Sequence, residues 1–295
     1  TERITLHNGY SKPFKTFCMK KIFLSFSLAI SMMASAQVFE VGQLTKLNTP
    51  TDTDVKVAGV SPDGSYVLIT NGSNHALRRY DVATGKTTTI TTAPGAGYNV
   101  QISTDGQEIV YRETKFDKQG LRKNDVIRLN LTTAKTATVA KAQRDASAMV
   151  TSSAKQSVSI QDRLMVVNRN GKNVVVAPNG KHLSYIWASI SPDGKKLCYY
   201  VCGNGCWVSN IDGSNPQYIA HACRAAQWYD NNTIVAMADE DDGHFVTASH
   251  IVAYTLDGKK QVLTSNSMIA VEPYAANGAV VFSTLDGEVY MLNVK

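Results

Sequence analysis

Two short stretches hold most of the side chains able to do chemistry. Residues 112–125 read RETKFDKQGLRKND and gather Arg112, Lys115, Phe116, Arg122 and Lys123. Residues 238–250 read ADEDDGHFVTASH and gather Asp239, Asp241, Asp242, His244 and Phe245. One is cationic and the other anionic, and each carries an aromatic residue. Such a pair can grip a ligand or partner through complementary charge; each run is also what a solvated loop face looks like. The carboxylates ahead of Gly243 could hold calcium, yet they lack the spacing of a helix-flanked calcium loop. His221 beside Arg224, with His244 and His250, could serve as a metal or acid–base cluster, but no H-x-x-x-H or H-E-x-x-H spacing supports one. No metal ligand, cofactor or catalytic residue is therefore expected. Cys202 and Cys206 flank Gly203-Asn204-Gly205, and a three-residue hairpin tip there would set them opposite one another for a cross-strand disulfide. Cys198 and Cys223 form a second pair or remain buried thiols.

The elements that position these residues are written as a repeat. SPDGSYVLIT at 61–70 returns as STDGQEIVYR at 103–112 and SPDGKKLCYY at 191–200. Pro presets φ, Asp turns back onto its own backbone, and Gly accepts the positive φ that closes a tight hairpin. The apolar run that follows reads as a buried strand. A second strand–turn–strand follows in each unit, as in YDVATGKTTTI (80–90), RLNLTTAKTATVA (128–140), LMVVNRNGKNVVVAP (164–178), VSNIDGSNPQYIA (208–220) and AYTLDGKKQVLT (253–264). First hairpins fall at Asp63-Gly64, Asp105-Gly106, a degenerate turn near Ala154-Lys155, Asp193-Gly194, Asp230-Asn231 and Asn277-Gly278. Six units of four strands, spaced by roughly 40 residues, predict an all-β six-bladed β-propeller. A β-sandwich is the competing reading. The sixth unit stops one strand short, and residues 38–47 are expected to complete it and close the ring. Blades 2 and 5 then lie opposite each other, and the two charged stretches are their second-to-third-strand connections on one face. Lys56, Tyr98, Trp187, His221, Arg224 and Glu272 are expected at the same mouth.

The N-terminus reads as a leader. Met19-Lys20-Lys21, the apolar run Ile22–Met33 and Ala34-Ser35-Ala36 form a signal-peptide pattern over 19–36, with cleavage before Gln37. Residues 1–18 read as an over-extended gene start, leaving 37–295 as one propeller domain. Residues 1–36 carry +4 of the formal +6 net charge. The remainder has no electrostatic footprint for nucleic acid and no second segment of membrane-spanning length.

The SPDG and D-x-x-G/DG pattern resembles the TolB-like, WD-repeat-like six-bladed propellers of exported bacterial proteins. That resemblance implies a monomeric periplasmic or secreted module that binds another envelope protein or component without catalysis. The alternative is a lyase or hydrolase on a small molecule or polysaccharide, with its site at the funnel. There is no G-x-S-x-G elbow.

Overall fold

The computed structural model describes residues 37–50, 54–144 and 148–295. The leader expected over 1–36 lies outside them. The described residues form six antiparallel sheets and no helix. The first strand, β1 (Val41–Lys46), belongs to the last sheet. Blade 1 holds β2 (Val55–Val60), β3 (Tyr66–Asn71), β4 (Leu77–Asp81) and β5 (Thr87–Thr91). Blade 2 holds β6 (Gln101–Ile102), β7 (Glu108–Phe116), β8 (Arg122–Asn130) and β9 (Thr136–Gln143). Blade 3 holds β10 (Gln156–Gln161), β11 (Leu164–Arg169) and β12 (Lys172–Val176). Blade 4 holds β13 (Tyr185–Ile190), β14 (Lys196–Val201), β15 (Gly205–Asn210) and β16 (Gln217–Ala220). Blade 5 holds β17 (Arg224–Trp228), β18 (Thr233–Asp241), β19 (Val246–Thr255) and β20 (Lys260–Val262). Blade 6 holds β21 (Ala270–Ala276), β22 (Ala279–Thr284) and β23 (Val289–Val294), and β1 pairs antiparallel with β23 to complete it. The molecule is a six-bladed β-propeller closed by its N-terminal strand.

Blade 3 departs from the expected four strands. Its first hairpin turns at Asp162-Arg163, both at positive φ, not near Ala154-Lys155. LMVVNRNGKNVVVAP is consequently the second and third strand, turning at Asn170-Gly171. Pro178, without an N–H for a ladder, and the Gly180 N–H bond to the Ala177 carbonyl turn the chain directly into β13.

The repeated turn is built by three groups acting together. In blade 4 the Ser191 N–H bonds the Lys196 carbonyl at 3.0 Å, and the Lys195 N–H bonds Asp193 Oδ1 at 3.1 Å. The buried Ser191 hydroxyl donates to that carboxylate at 2.7 Å and accepts from the Lys196 N–H at 2.9 Å. Ser103 and Asp105 repeat this arrangement in blade 2. These turns also tie blades together. The Tyr66 hydroxyl donates to the Gly106 carbonyl at 2.8 Å, the Asn277 N–H to the Pro62 carbonyl at 3.2 Å, and the Asp193 N–H to Asn231 Oδ1 at 3.0 Å.

The serine hydroxyls, followed by backbone N–H donors, hold the Asp63 and Asp105 carboxyls below the usual range; Ser191 does the same for Asp193. A depressed carboxyl contributes stability above its unfolded pKa and loses that contribution as pH falls through the folded value. Stability should therefore decline as pH drops below about 4. Replacing all three residues by Asn, which keeps the turn acceptor, should flatten that decline in urea titrations at pH 7 and pH 3. An unaltered pH slope would refute this assignment.

The core lies between facing blades. Between blades 5 and 6, fully buried Val235, Ile251, Val280 and Phe282 pack together with Phe39. Between blades 4 and 5 the layer holds Cys198, Cys206, Cys223, Trp228, Ile234 and Tyr254.

Candidate functional site

Short turns on one face leave the opposite face to carry the longer features. The connections of blades 2 and 5 are not long loops. They are projecting hairpins, because their residues continue the strand ladders: β7 pairs with β8 out to Phe116 and Arg122, and β18 with β19 out to Asp241 and Val246. Each tip is tied by an aspartate. Asp117 Oδ1 accepts from the Gln119 and Leu121 N–H groups at 3.0 and 2.8 Å. Asp242 Oδ1 accepts from the His244 and Phe245 N–H groups at 2.9 and 2.8 Å, which hold its carboxyl below the usual range.

These contacts redistribute the expected roles. Asp242 builds the tip that presents its neighbours, and Asp241 Oδ1 accepts from the Gly243 N–H at 3.0 Å. Lys115 is paired with Asp125 at 2.7 Å, which raises its pKa. In register it also faces Lys123, and Glu113 faces Asp125, so the Lys115–Asp125 diagonal offsets two like-charge pairs. Arg122 is exposed near the tip, and His244 and His221 are exposed as well. Beside these charges the tips expose large apolar side chains: Phe116 is 68% exposed with Leu121 beside it, and Phe245 is 76% exposed.

Below the hairpins lies a more ordered group. Arg112 is buried rather than on the lip. Its Nε donates to the Gly95 carbonyl at 3.2 Å, and its guanidinium lies over the Tyr98 ring, 4.2 Å from the centroid. Burial lowers its pKa from the ordinary arginine value. Arg224, the first residue of β17, reaches Asp239 Oδ2 at 2.6 Å and approaches Asp241 Oδ2 at 4.0 Å. The Asp239 side chain is 1% exposed, and its Oδ1 has no hydrogen-bond partner. Burial works against the charge on Arg224, but a hydrogen bond with Tyr200 and the two carboxylates outweigh it and raise its pKa. Trp187 meets Tyr200 edge-on, 5.5 Å between centroids, and stays partly open to solvent. Lys56 and Glu272 are linked at 2.7 Å between blades 1 and 6.

The backbone explains why these residues converge. Irregular register interrupts the innermost strand between Val57 and Gly59, Ile186 and Ser189, Arg224 and Gln227, and Val271 and Tyr274. At three of these bulges a non-glycine residue takes positive φ: Trp187 at 51°, Ala225 at 48° and Glu272 at 50°. Each such residue costs about 1–3 kcal/mol, a kind of strain that clusters at functional sites. Sequence reading placed Trp187, Arg224 and Glu272 at the mouth. It missed Tyr200, which lies inside the repeat and reads there as core filling.

The expected Cys202–Cys206 opposition does not form. Gly205 continues the strand and pairs with Val201, so Cys206 lies opposite Tyr200 while Cys202 sits exposed in the turn. Cys206 is buried, with its Sγ 3.6 Å from that of Cys198. Among the described residues, no three His, Cys, Asp or Glu side chains are grouped to hold a metal ion.

Fold and mouth together define a six-bladed propeller with charged and aromatic residues on its funnel face. Solved structures of the same shape include a putative TolB from Agrobacterium tumefaciens, at 16% identity and a TM-score of 0.56, covering 82% of this chain and 90% of that one. A streptogramin B lyase matches at 14% identity and 0.55, over 86% and 98% of the two chains. An oligogalacturonate lyase in complex with manganese matches at 14% and 0.52, over 80% and 76%. These likenesses establish the fold that the SPDG repeat pointed to, including its TolB-like form. Neither a family model nor a curated protein sequence matches the chain.

Proposed function

We propose that this propeller is an exported, monomeric, non-catalytic module that binds another protein of the bacterial cell envelope. One observation carries the reading: two strand-paired hairpins extend from blades 2 and 5, opposite one another in the ring, and expose Phe116, Leu121 and Phe245 at their ends. Apolar side chains on hydrogen-bonded arms supply contact area at little ordering cost. Arg122 and Lys123 on one arm and Asp241 on the other give the partner an orientation. Arg224, Tyr200 and Trp187, on blades 4 and 5, adjoin the arm of blade 5 through Asp239 and Asp241. The TolB-like shape and the leader pattern at 19–36 support export to the periplasm or secretion.

The test is an envelope pull-down with the chain from Gln37, compared with a Phe116→Ser, Leu121→Ser, Phe245→Ser triple variant. The variant should lose specific partner capture by at least tenfold. Its thermal midpoint should change by less than about 2 °C, because exposed tips contribute little to stability. Equal capture by both proteins would overturn the proposal.

A second reading, a lyase or hydrolase on a polyanionic sugar, is favoured by Arg224 hydrogen-bonded to the Tyr200 that the open Trp187 ring packs against and by the lyases that share the fold. Depolymerisation of uronate oligosaccharides, abolished by Arg224→Ala, would favour it over the binding module.

A further inference from the structure

Three of the four cysteines among the described residues meet in one place. Cys198 on β14, Cys206 on β15 and Cys223 just before β17 are all fully buried between blades 4 and 5. Cys198 pairs in register with Val208, and Tyr200 with Cys206, so Cys198 and Cys206 are diagonal neighbours on one sheet face. Their sulfurs are 3.6 Å apart, and Cys223 lies in the same apolar cluster. A disulfide between the first two requires about 1.5 Å of further approach. Tyr200, which hydrogen-bonds Arg224, pairs directly opposite Cys206, so a covalent link here would stiffen the strand pair that positions Arg224.

We propose that Cys198 and Cys206 form a structural disulfide, leaving Cys223 as a buried thiol and Cys202 as an exposed one. The two thiols lose two protons and two electrons to a disulfide oxidant, such as glutathione disulfide, which is reduced to two thiols as the protein S–S bond forms. Oxidation must precede final burial. Once the blades close, the contact with Cys206 and then burial push the Cys198 thiol well above its usual pKa, and burial raises that of Cys223. Neutral buried thiols exchange poorly.

The bridge draws its cellular oxidant from the proposed export, but its chemistry can be tested separately. The chain from Gln37 is refolded with glutathione disulfide, denatured, alkylated with and without reduction, and mapped by mass spectrometry. Two thiols should label before reduction and four after, and one cross-linked species should join the peptides of Cys198 and Cys206. Cys223→Ser and Cys202→Ser variants should keep that species, and Cys206→Ala should lose it. Reductant should lower the thermal midpoint by about 5 °C in the wild type and not in Cys206→Ala. Four labelled thiols without reduction, or a bridge using any other pair, would overturn the proposal. The same mapping on protein recovered from the cell tests export: a bridge formed in vitro but absent there counts against the compartment and not against the pairing.

Discussion

A chain beginning at Asn48 should lose about 5 kcal/mol of unfolding free energy, much of the net stability of an ordinary domain. β1 enters blade 6 from the far end of the sequence, and many contacts depend on it. Its residues pair along β23 from Val41 opposite Val294 to Lys46 opposite Tyr290. Glu40 and Lys295 exchange backbone hydrogen bonds at 2.9 and 3.0 Å. The Gln261 carboxamide accepts from the Val38 and Phe39 N–H groups, both at 2.7 Å, and donates to the Phe39 carbonyl at 3.0 Å. Phe39 is buried against Tyr229, with centroids 4.6 Å apart. Removing a buried phenylalanine alone costs about 3–5 kcal/mol. Truncation also bares the edge of β23, so aggregation should accompany the loss. Urea unfolding by tryptophan fluorescence measures the first effect and light scattering the second; Phe39→Ala should reproduce most of the first and little of the second. A truncated chain with an unchanged urea midpoint would show that the ring does not depend on this closure.

Arg224→Met should destabilise the protein by about 2 kcal/mol, and Arg224→Met with Asp239→Leu should recover most of that loss. The single change strands a carboxylate whose side chain is 1% exposed and whose Oδ1 already has no partner. Breaking a fully buried ion pair costs about 3–5 kcal/mol. The figure here is smaller because the Arg224 side chain is 37% exposed and part of its charge is screened by water. The double change removes both charges, and an apolar pair of similar volume is often as stable as the ion pair it replaces. A double-mutant cycle in urea measures the coupling. If the two changes simply added, the pair would not be the structural unit of the mouth. Partner capture by the double variant then separates the two uses of Arg224: full stability with lost capture identifies it as a contact residue.

Much of the architecture was legible in residues 37–295 because propeller blades are local. Ser-x-Asp-Gly forces a tight turn by its own chemistry, the strand that follows is apolar enough to bury, and adjacent strands are joined by a few residues. Three of the six first hairpins carry this turn, and Asp230-Asn231 and Asn277-Gly278 mark two more. Blade 3 was misread because Asp162-Arg163 turns at positive φ without the usual Asn or Gly, while the more conspicuous Asn170-Gly171 marks the next hairpin. The cysteine spacing misled for a similar reason: Gly205 extends β15 by one residue and carries Cys206 past Cys202, and strand register depends on the whole ladder.

The sequence by itself determined the repeat, the six blades, the closing role of the N-terminal strand and the presence of the two charged stretches on blades 2 and 5. Tertiary structure alone decided what those stretches are. Lys115 pairs with Asp125 and Asp242 ties its own tip, Arg112 is buried against Tyr98, and the tips expose Phe116, Leu121 and Phe245 beside their charges. Arg224–Asp239 and Trp187–Tyr200 are contacts between adjacent strands within blades 5 and 4, and the hydrogen bond of Tyr200 with Arg224 joins the two blades. Strand register, hydrogen bonds and burial set these assignments, and a charge count along the chain carries no information about which charges have already found a partner.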